Sequence, residues 1–395
     1  MTSENRPKGP CAGIKVLEVA TMVAGPMAGQ MLGDLGADVV KIEPPGGDPL
    51  RLVKPIHKGV GALFMAMNRH KRSLVLDLKN PEAQAIARRL ALQADVLLEN
   101  SRPGVLDRLG LGYESLRKEN PGLIYASVSG FGLDGPYAKR PAFDQVLQGL
   151  TGIMRLQGGE GAPQAIRNSV VDKYTASAAA SAITAALLYR ERNGGEGQRV
   201  SVSLLDAFSS YAMMDCILND VYAECEDRPA RINAYVPIKA ADGYMIGWIQ
   251  TDDQFARMCK LIGREDLLND PRFKGAERLY NSEAMWREIE KSISHMKIAD
   301  VFAKAEEEGV AIGPVNTIAD FMADPQVRHN RGIVEHEDAE FGTIRHLNYP
   351  ARFEKSPASV EARAPKLGEH TEGILKELGF ANSEIAAARA AKAVG

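Results

Sequence analysis

The chain has 395 residues, 45% of them apolar and 25% charged. That composition excludes long disorder, and the length can bury a substantial core without disulfide or metal staples. The formal charge of −3 excludes a polycation, yet residues 51–140 carry 15 Lys/Arg against 8 Asp/Glu, so one region reads as built to meet negative charge.

At roughly 150 residues per domain, the length predicts two to three domains. The opening MTSENRPKGP lacks the apolar run of a secretory signal. The next residues read as a β-α-β unit. Ile14–Ala20 is a strand candidate, and Ala24-Gly25-Pro26 forms a small-residue turn with Pro26 suited to a first helical turn. Met27, Met31, Leu32 and Leu35 follow at helical spacing, Gly36 supplies a stop, and Asp38–Glu43 is the next strand. Further strands are expected at Ser73–Leu78, Asp95–Leu98, Leu123–Ser129 and Arg199–Leu204, with helices at Pro81–Gln93, Lys173–Arg192 and Leu205–Glu224. Alternating strands and helices imply a mainly parallel sheet covered on both faces.

The texture changes near Glu224. A hairpin around Asp242-Gly243 and helices at Asp253–Ile262, Asn281–Ser294 and Ile298–Glu308 describe a smaller α+β domain. The resulting division is a large Rossmann-like α/β domain over 1–225, completed by 335–395, and a smaller domain over 226–334. The tail holds Ala364–Thr371 (APKLGEHT) and a final Ala-rich helix at Glu384–Val394. The longest uncharged stretch, Tyr174–Tyr189, is too short and too polar to span a membrane and reads as a buried helix.

Several chemistries can be weighed on residues alone. The turn Ala24-Gly25-Pro26-Met27-Ala28-Gly29 is not G-x-G-x-x-G, so Glu43 is weak evidence for a ribose-binding acid and a nicotinamide site is disfavoured. The basic residues around Arg69, Lys71 and Arg72, and later Arg102, Arg108, Lys139 and Arg140, read either as a solvated face or as a polyphosphate site. Nucleic acid is disfavoured, because no helix carries a continuous basic stripe and aromatics are not interleaved. Cys11, Cys216, Cys225 and Cys259 are too scattered for a disulfide framework or a zinc site, which fits a reducing, cytoplasmic setting and predicts no bound metal. Asp172 falls at a helix start, where it reads as an N-cap carboxylate or as an ionised nucleophile. Asn193–Gln198 (NGGEGQ) reads as a helix stop. Trp248 to Asp253 is either a substrate-facing segment or a hairpin end and helix start.

Taken together, GIKVLEVATMVAGPMAGQMLGDLGADVVKIEPPGGDP, NRHKRSLVLDLKNPEA, DVLLENSRPGVLDRLGLGYESL, GFGLDGPYAKRPAFDQVLQGLTG, VVDKYTASAAASAITAALLYRERNGGEGQRVSVSLLDA and APKLGEHT resemble the class III CoA-transferase (CaiB/BaiF) family over nearly the whole chain. The resemblance implies transfer of CoA from an acyl-CoA to a free carboxylic acid, with Asp172 as nucleophile passing through an aspartyl anhydride and an aspartyl-CoA thioester. It implies CoA contacts at Val23, Ala24, Leu76, Asp77, Leu78, Lys79, Asn100, Ser101, Arg102 and Arg108, and an active-site segment at Phe143 and Asp144. Coenzyme A is then a substrate and no cofactor is tightly bound. An interlocked homodimer is implied as well. The chemistry calls for an ionised carboxylate, oxyanion donors such as backbone N–H groups near that helix, and a dry site.

Two alternatives stand beside this reading. The related 2-methylacyl-CoA racemases carry a proton-transferring histidine where this chain has Phe143, which argues for the transferase. A non-enzymatic CoA-binding scaffold would bind without turnover. Formyl-CoA:oxalate transferases carry a glycine-rich loop that is absent between Tyr235 and Asp253, so that specific activity is not expected.

Overall fold

A computed structural model describes residues 9–226, 228–229 and 231–395. The chain divides into a large unit, Met1–Ile217 with Asn330–Gly395, and a smaller unit, Leu218–His329. The sequence places these boundaries a few residues later in each case.

The large unit is built on six parallel strands: β1 Lys15–Val19, β2 Asp38–Glu43, β3 Lys71–Val75, β4 Val96–Glu99, β5 Ile124–Ser129 and β6 Arg199–Ser203. Their spatial order is β3-β2-β1-β4-β5-β6, so the chain winds outward in both directions from β1 and β4. Alternate side chains face opposite ways along each strand. Leu17, Val40, Leu74 and Leu97 pack against Ile86 and Ala87 of helix α2 (Pro81–Gln93), while Val16, Val39, Val96 and Ile124 pack against Leu32 of α1 (Ala24–Asp34).

The second face is completed by α4 (Val170–Arg192), which follows the short helix α3 (Asp144–Leu150), and by α5 (Leu204–Ala212). Val171, Ala176, Ala179 and Ile183 of α4 are buried, whereas Tyr174, Leu188 and Tyr189 are exposed. The stretch expected to be a buried helix thus buries one face only. At its end Gly194 and Gly195 adopt φ of 70° and 86°, the helix stop read from the sequence. Helix α5 ends twelve residues earlier than expected. Asn219 donates to the carbonyl of Pro229 and accepts from Arg228 through its own carbonyl, bonds that replace helical ones.

The smaller unit holds a three-stranded sheet, β7 Ile238–Ala240, β8 Gly243–Gly247 and β9 Ile312–Pro314. Ala240 pairs with Gly243, so Ala241-Asp242 is the expected tight turn. Helices α6 (Asp252–Ile262), α7 (Ser282–Ile293) and α8 (Ile298–Glu308) complete a core around Trp286 and Phe255. Back in the large unit, Ala364–Thr371 lines the exposed edge of β3. Gly368 N donates to Ser73 Oγ, His370 N to Ser73 O, and Val75 N to Thr371 Oγ1. An edge strand is thereby covered. Helices α9 (Thr371–Glu377) and α10 (Asn382–Ala390) follow, and Ile374, Ile385 and Ala388 join the core beside α2.

Candidate active site

Because all six strands are parallel, their carboxyl ends share one edge, and the CoA contacts and nucleophile implied by the resemblance all lie in connections that leave a strand on that edge. Ligands of such sheets bind where the strand order reverses, which here is between β1 and β4. Val23 and Ala24 lie in the turn after β1, and Asn100, Ser101 and Arg102 in the loop after β4. These two loops are tied together directly. Asn100 Oδ1 accepts from Thr21 N at 3.0 Å while its Nδ2 donates to Thr21 O at 2.7 Å. Gly25 permits the approach, since a Cβ there would stand 3.3 Å from the Asn100 carboxamide carbon and 2.6 Å from Ala20 Cβ. Ser101 N donates to buried Glu99 at 2.8 Å, whose pKa burial raises.

The other predicted contacts are placed less uniformly. Leu76 is buried and pairs with Val394, and Asp77 N donates to the Ala393 carbonyl, so this stretch is largely occupied by the C-terminal tail. Leu78 is half-buried and packs against the core. Lys79, Arg102 and Arg108 are exposed, and among the described residues their side chains make no ion pair. Arg140 stacks over the Tyr137 ring at 4.0 Å. Thr251 caps helix α6 through a reciprocal capping box with Gln254, and Asp252 pairs with Arg278, so Trp248 to Asp253 forms a strand exit and helix start.

The basic surplus of residues 51–140 has a different explanation from the one its local count suggests. Arg51 pairs with Glu43, Arg69 with Asp34, Lys71 with Glu18, and Arg72 with Asp38 and Glu377. All five acids lie outside the counted window, in helix α1, the neighbouring strands and the tail. Much of the surplus is therefore internal pairing, and Lys79, Arg102 and Arg108 belong to the cations without an ion pair, among the described residues, in the connections after the strands' carboxyl ends. Glu43, held below the ordinary carboxylate range by Arg51 and Ser73 despite its burial, is a structural acid and binds no ribose. A cavity of about 450 Å³ opens at the opposite, amino edge, lined by His70, Arg72, His336 and Arg363. Its arginines are already paired, Arg72 as above and Arg363 with Asp338 and Glu369.

The first turn of α4 carries the sharpest geometry. This helix crosses from β5 to β6 antiparallel to them, so its amino end meets the carboxyl edge. Its N-cap is Ser169, which makes no side-chain cap. The capping is done by Asp144, 3% exposed, whose Oδ2 accepts from Val171 N at 2.7 Å and Asp172 N at 3.1 Å. Asp144 Oδ1 accepts from Gln148 Nε2 at 2.6 Å, and Gln148 in turn accepts from Ile166 N. Asp172 is thus no N-cap, which corrects one of its two sequence readings: a neighbour caps the helix and leaves its carboxylate unused.

Among the described residues nothing donates to that carboxylate. Burial, and then the charge of Asp144, push its pKa up to about 6 against the pull of Lys173, so the surroundings tune this acid. The amides of Val171 and Asp172 are taken by Asp144, and Lys173 N donates to Ser169 O. These amides are not the free oxyanion donors expected of a helix start. Phe143, beside Asp144, is 60% exposed and cannot carry a proton. Among the described residues no group of three or more His, Cys, Asp or Glu is arranged to hold a metal, and no helix is long and apolar enough to cross a membrane.

Gln148 and the buried acids and lysines of the strands were missed by sequence reasoning. The signals were present: Asp144 and Gln148 stand four apart on a helix, and Glu18 and Lys41 sit inside otherwise apolar strands.

Comparison with known proteins places nearly the whole chain in one family. Residues 11–371 match the model of CoA-transferase family III. The succinate–glutarate CoA-transferase of Agrobacterium fabrum is 38% identical over 396 residues, covering 96% of this chain and 98% of that protein. The human succinyl-CoA:glutarate CoA-transferase is 32% identical, over 93% of this chain and 86% of that one. A solved CaiB/BaiF family protein from Brucella suis superposes with a TM-score of 0.82 at 37% identity, covering 94% and 99% of the two chains.

Proposed function

The chain belongs to CoA-transferase family III and is an enzyme that moves CoA from an acyl-CoA to a carboxylic acid; we propose that Asp172 carries the CoA between them. The observation that carries this reading is the Asp172 carboxylate, left without a donor beside an acid whose own oxygens are satisfied. A nucleophile must be free to attack, and one held at a raised pKa is more basic and more nucleophilic once ionised.

The carboxylate attacks the thioester carbonyl, the C–S bond breaks, and CoA thiolate leaves a mixed anhydride on Asp172. The thiolate then attacks the aspartyl carbonyl, which frees the donor acid and forms an aspartyl-CoA thioester. An acceptor carboxylate attacks that carbonyl, giving a second anhydride and thiolate. The thiolate takes the acceptor's acyl group and Asp172 is restored. Contacts to the distant nucleotide end supply binding energy that the reacting end can use. In this reading Val23, Ala24, Asn100 and Ser101 form the crevice at the strand-order reversal, and Lys79, Arg102 and Arg108 meet the CoA phosphates. Leu76, Asp77 and Leu78 contribute a wall, and Phe143 and Asp144 border the thioester end.

Two of the relatives named above are, by name, a succinate–glutarate and a succinyl-CoA:glutarate CoA-transferase. We infer that this chain uses short dicarboxylic acids, with succinyl-CoA as a donor, and works as an interlocked homodimer in the cytoplasm. Large exposed side chains of the large unit, such as Phe143, Tyr189 and Tyr211, support a partner surface. The test is a panel of acyl-CoA donors and carboxylic acids read by mass spectrometry for CoA exchange. Exchange with succinyl-CoA and glutarate is expected. Exchange confined to monocarboxylic acids would overturn the substrate reading, and rapid α-proton exchange on a 2-methylacyl-CoA would favour the racemase.

A further inference from the structure

Four charged side chains lie beneath the turn that follows β1, and none of them is exposed: Glu18, Lys41, Asp48 and Lys71. Lys41 Nζ stands 2.9 Å from Glu18 Oε1 and 3.0 Å from Asp48 Oδ2, and donates to the carbonyl of Ala20 at 2.6 Å. Lys71 Nζ stands 2.7 Å from Glu18 Oε2 and donates to the carbonyl of Pro26 at 2.7 Å and to Asn68 Oδ1 at 2.8 Å. Two ammonium groups therefore grip the two ends of one seven-residue stretch (20–26), the turn after β1 and the first residues of α1, and Glu18 bridges them. Between those ends Asp48 Oδ1 accepts from Met22 N at 3.4 Å, and Met22 has a left-handed φ of 67°. Helix α1 seats over the cluster only because residue 29 is glycine, since a Cβ there would lie 2.0 Å from Glu18 Oε2.

Packing alone does not call for such a cluster, because apolar side chains of similar volume fill a core at least as favourably as buried ion pairs. What the charges add is direction. Each ammonium fixes a carbonyl of the same stretch, whose middle carries Val23 and leads into Ala24.

We propose that the Glu18–Lys41–Lys71 cluster is a positioning device for the acyl-CoA site, holding the 20–26 backbone in the shape that receives the ligand. The proposal rests on the reading of that turn as a CoA contact. Neither lysine touches CoA; both act through the backbone they hold.

The test uses Lys71→Met and the charge-balanced double variant Glu18→Gln/Lys71→Met, which leaves Lys41 its acceptor and no orphaned carboxylate. Circular dichroism and thermal melting establish which variants fold. CoA itself is the binding probe, measured by calorimetry, alongside KM for succinyl-CoA and kcat at saturation. Displacement of a contact backbone is expected to weaken CoA binding and raise KM by about tenfold or more, with kcat within about threefold of wild type because Asp172 is untouched. A folded double variant that binds CoA as wild type does, or that loses kcat with KM unchanged, would overturn the positioning role. If the wild-type chain binds CoA but Val23→Trp leaves its affinity unchanged, the underlying contact reading fails instead, and the two failures are told apart.

Discussion

Two regions of the carboxyl edge are built on opposite terms. At the crevice between β1 and β4, polar groups are tied down: Asn100 and Thr21 exchange two hydrogen bonds, Ser101 N meets Glu99, and the Ala20 and Pro26 carbonyls meet ammonium groups. At the first turn of α4, Asp144 takes three donors and Asp172 takes none. The first region is preorganised, as a surface that must bind the same large ligand in every state should be. The second keeps a charge in tension, as a group that must react should be. In the proposed reading, satisfied hydrogen bonds mark where the molecule holds CoA, and the unsatisfied carboxylate marks where it acts.

Four changes break or sharpen that contrast. The largest effect is expected from Asp172→Asn, which should cut turnover by about 10⁴-fold or more while calorimetry still records CoA binding. The same variant has a stability signature. Because burial and Asp144 raise the Asp172 pKa to about 6, its ionisation opposes folding, and the stability present below the unfolded value near 3.8 is lost as pH rises through about 6. Asp172→Asn should therefore melt above wild type at pH 7 and level with it at acid pH. Near the crevice, Arg51→Ala removes the cation paired with buried Glu43, leaving it only the Ser73 and Asp48 donors, and removes the donor to Pro365 O. Denaturant titration should show a loss of about 3–5 kcal/mol.

Asp144→Asn tests the tension itself. Wild-type kcat/KM should fall as pH drops through about 6, the nucleophile of the free enzyme being protonated below it. The variant should move that inflection downward, since the neighbouring charge is gone, and should loosen the first turn of α4 by about 0.5–2 kcal/mol. A pH profile that keeps its inflection would remove Asp144 from the account. The smallest effect is expected from Arg108→Ala, which should raise KM for acyl-CoA about tenfold and reduce its salt dependence, with kcat unchanged.

Much of this fold was legible because parallel strands are short apolar runs bounded by turn residues, and DVVKIE and IYASVS, flanked by glycine and proline, could be little else. Asp172 was legible as a carboxylate at a helix start. That Asp144, known from the resemblance only as part of an active-site segment, would cap the same turn was not, because it lies 28 residues away in the sequence and only the fold brings α3 to the end of α4. The basic stretch misled for the same reason. A charge count along the chain cannot see that Arg69 meets Asp34 or that Arg72 meets Glu377. Helix α5 was overextended because Met213, Met214, Ile217 and Leu218 continue an apolar pattern, whereas the chain turns there toward the smaller unit.

The most direct measurement of the central claim is trapping with hydroxylamine during turnover, followed by peptide mass spectrometry. An aspartyl anhydride or thioester would be converted to a hydroxamate at Asp172, dependent on acyl-CoA and absent in Asp172→Asn. That is the predicted result. Sustained CoA transfer with Asp172 unmodified, or a hydroxamate at another residue, would contradict it.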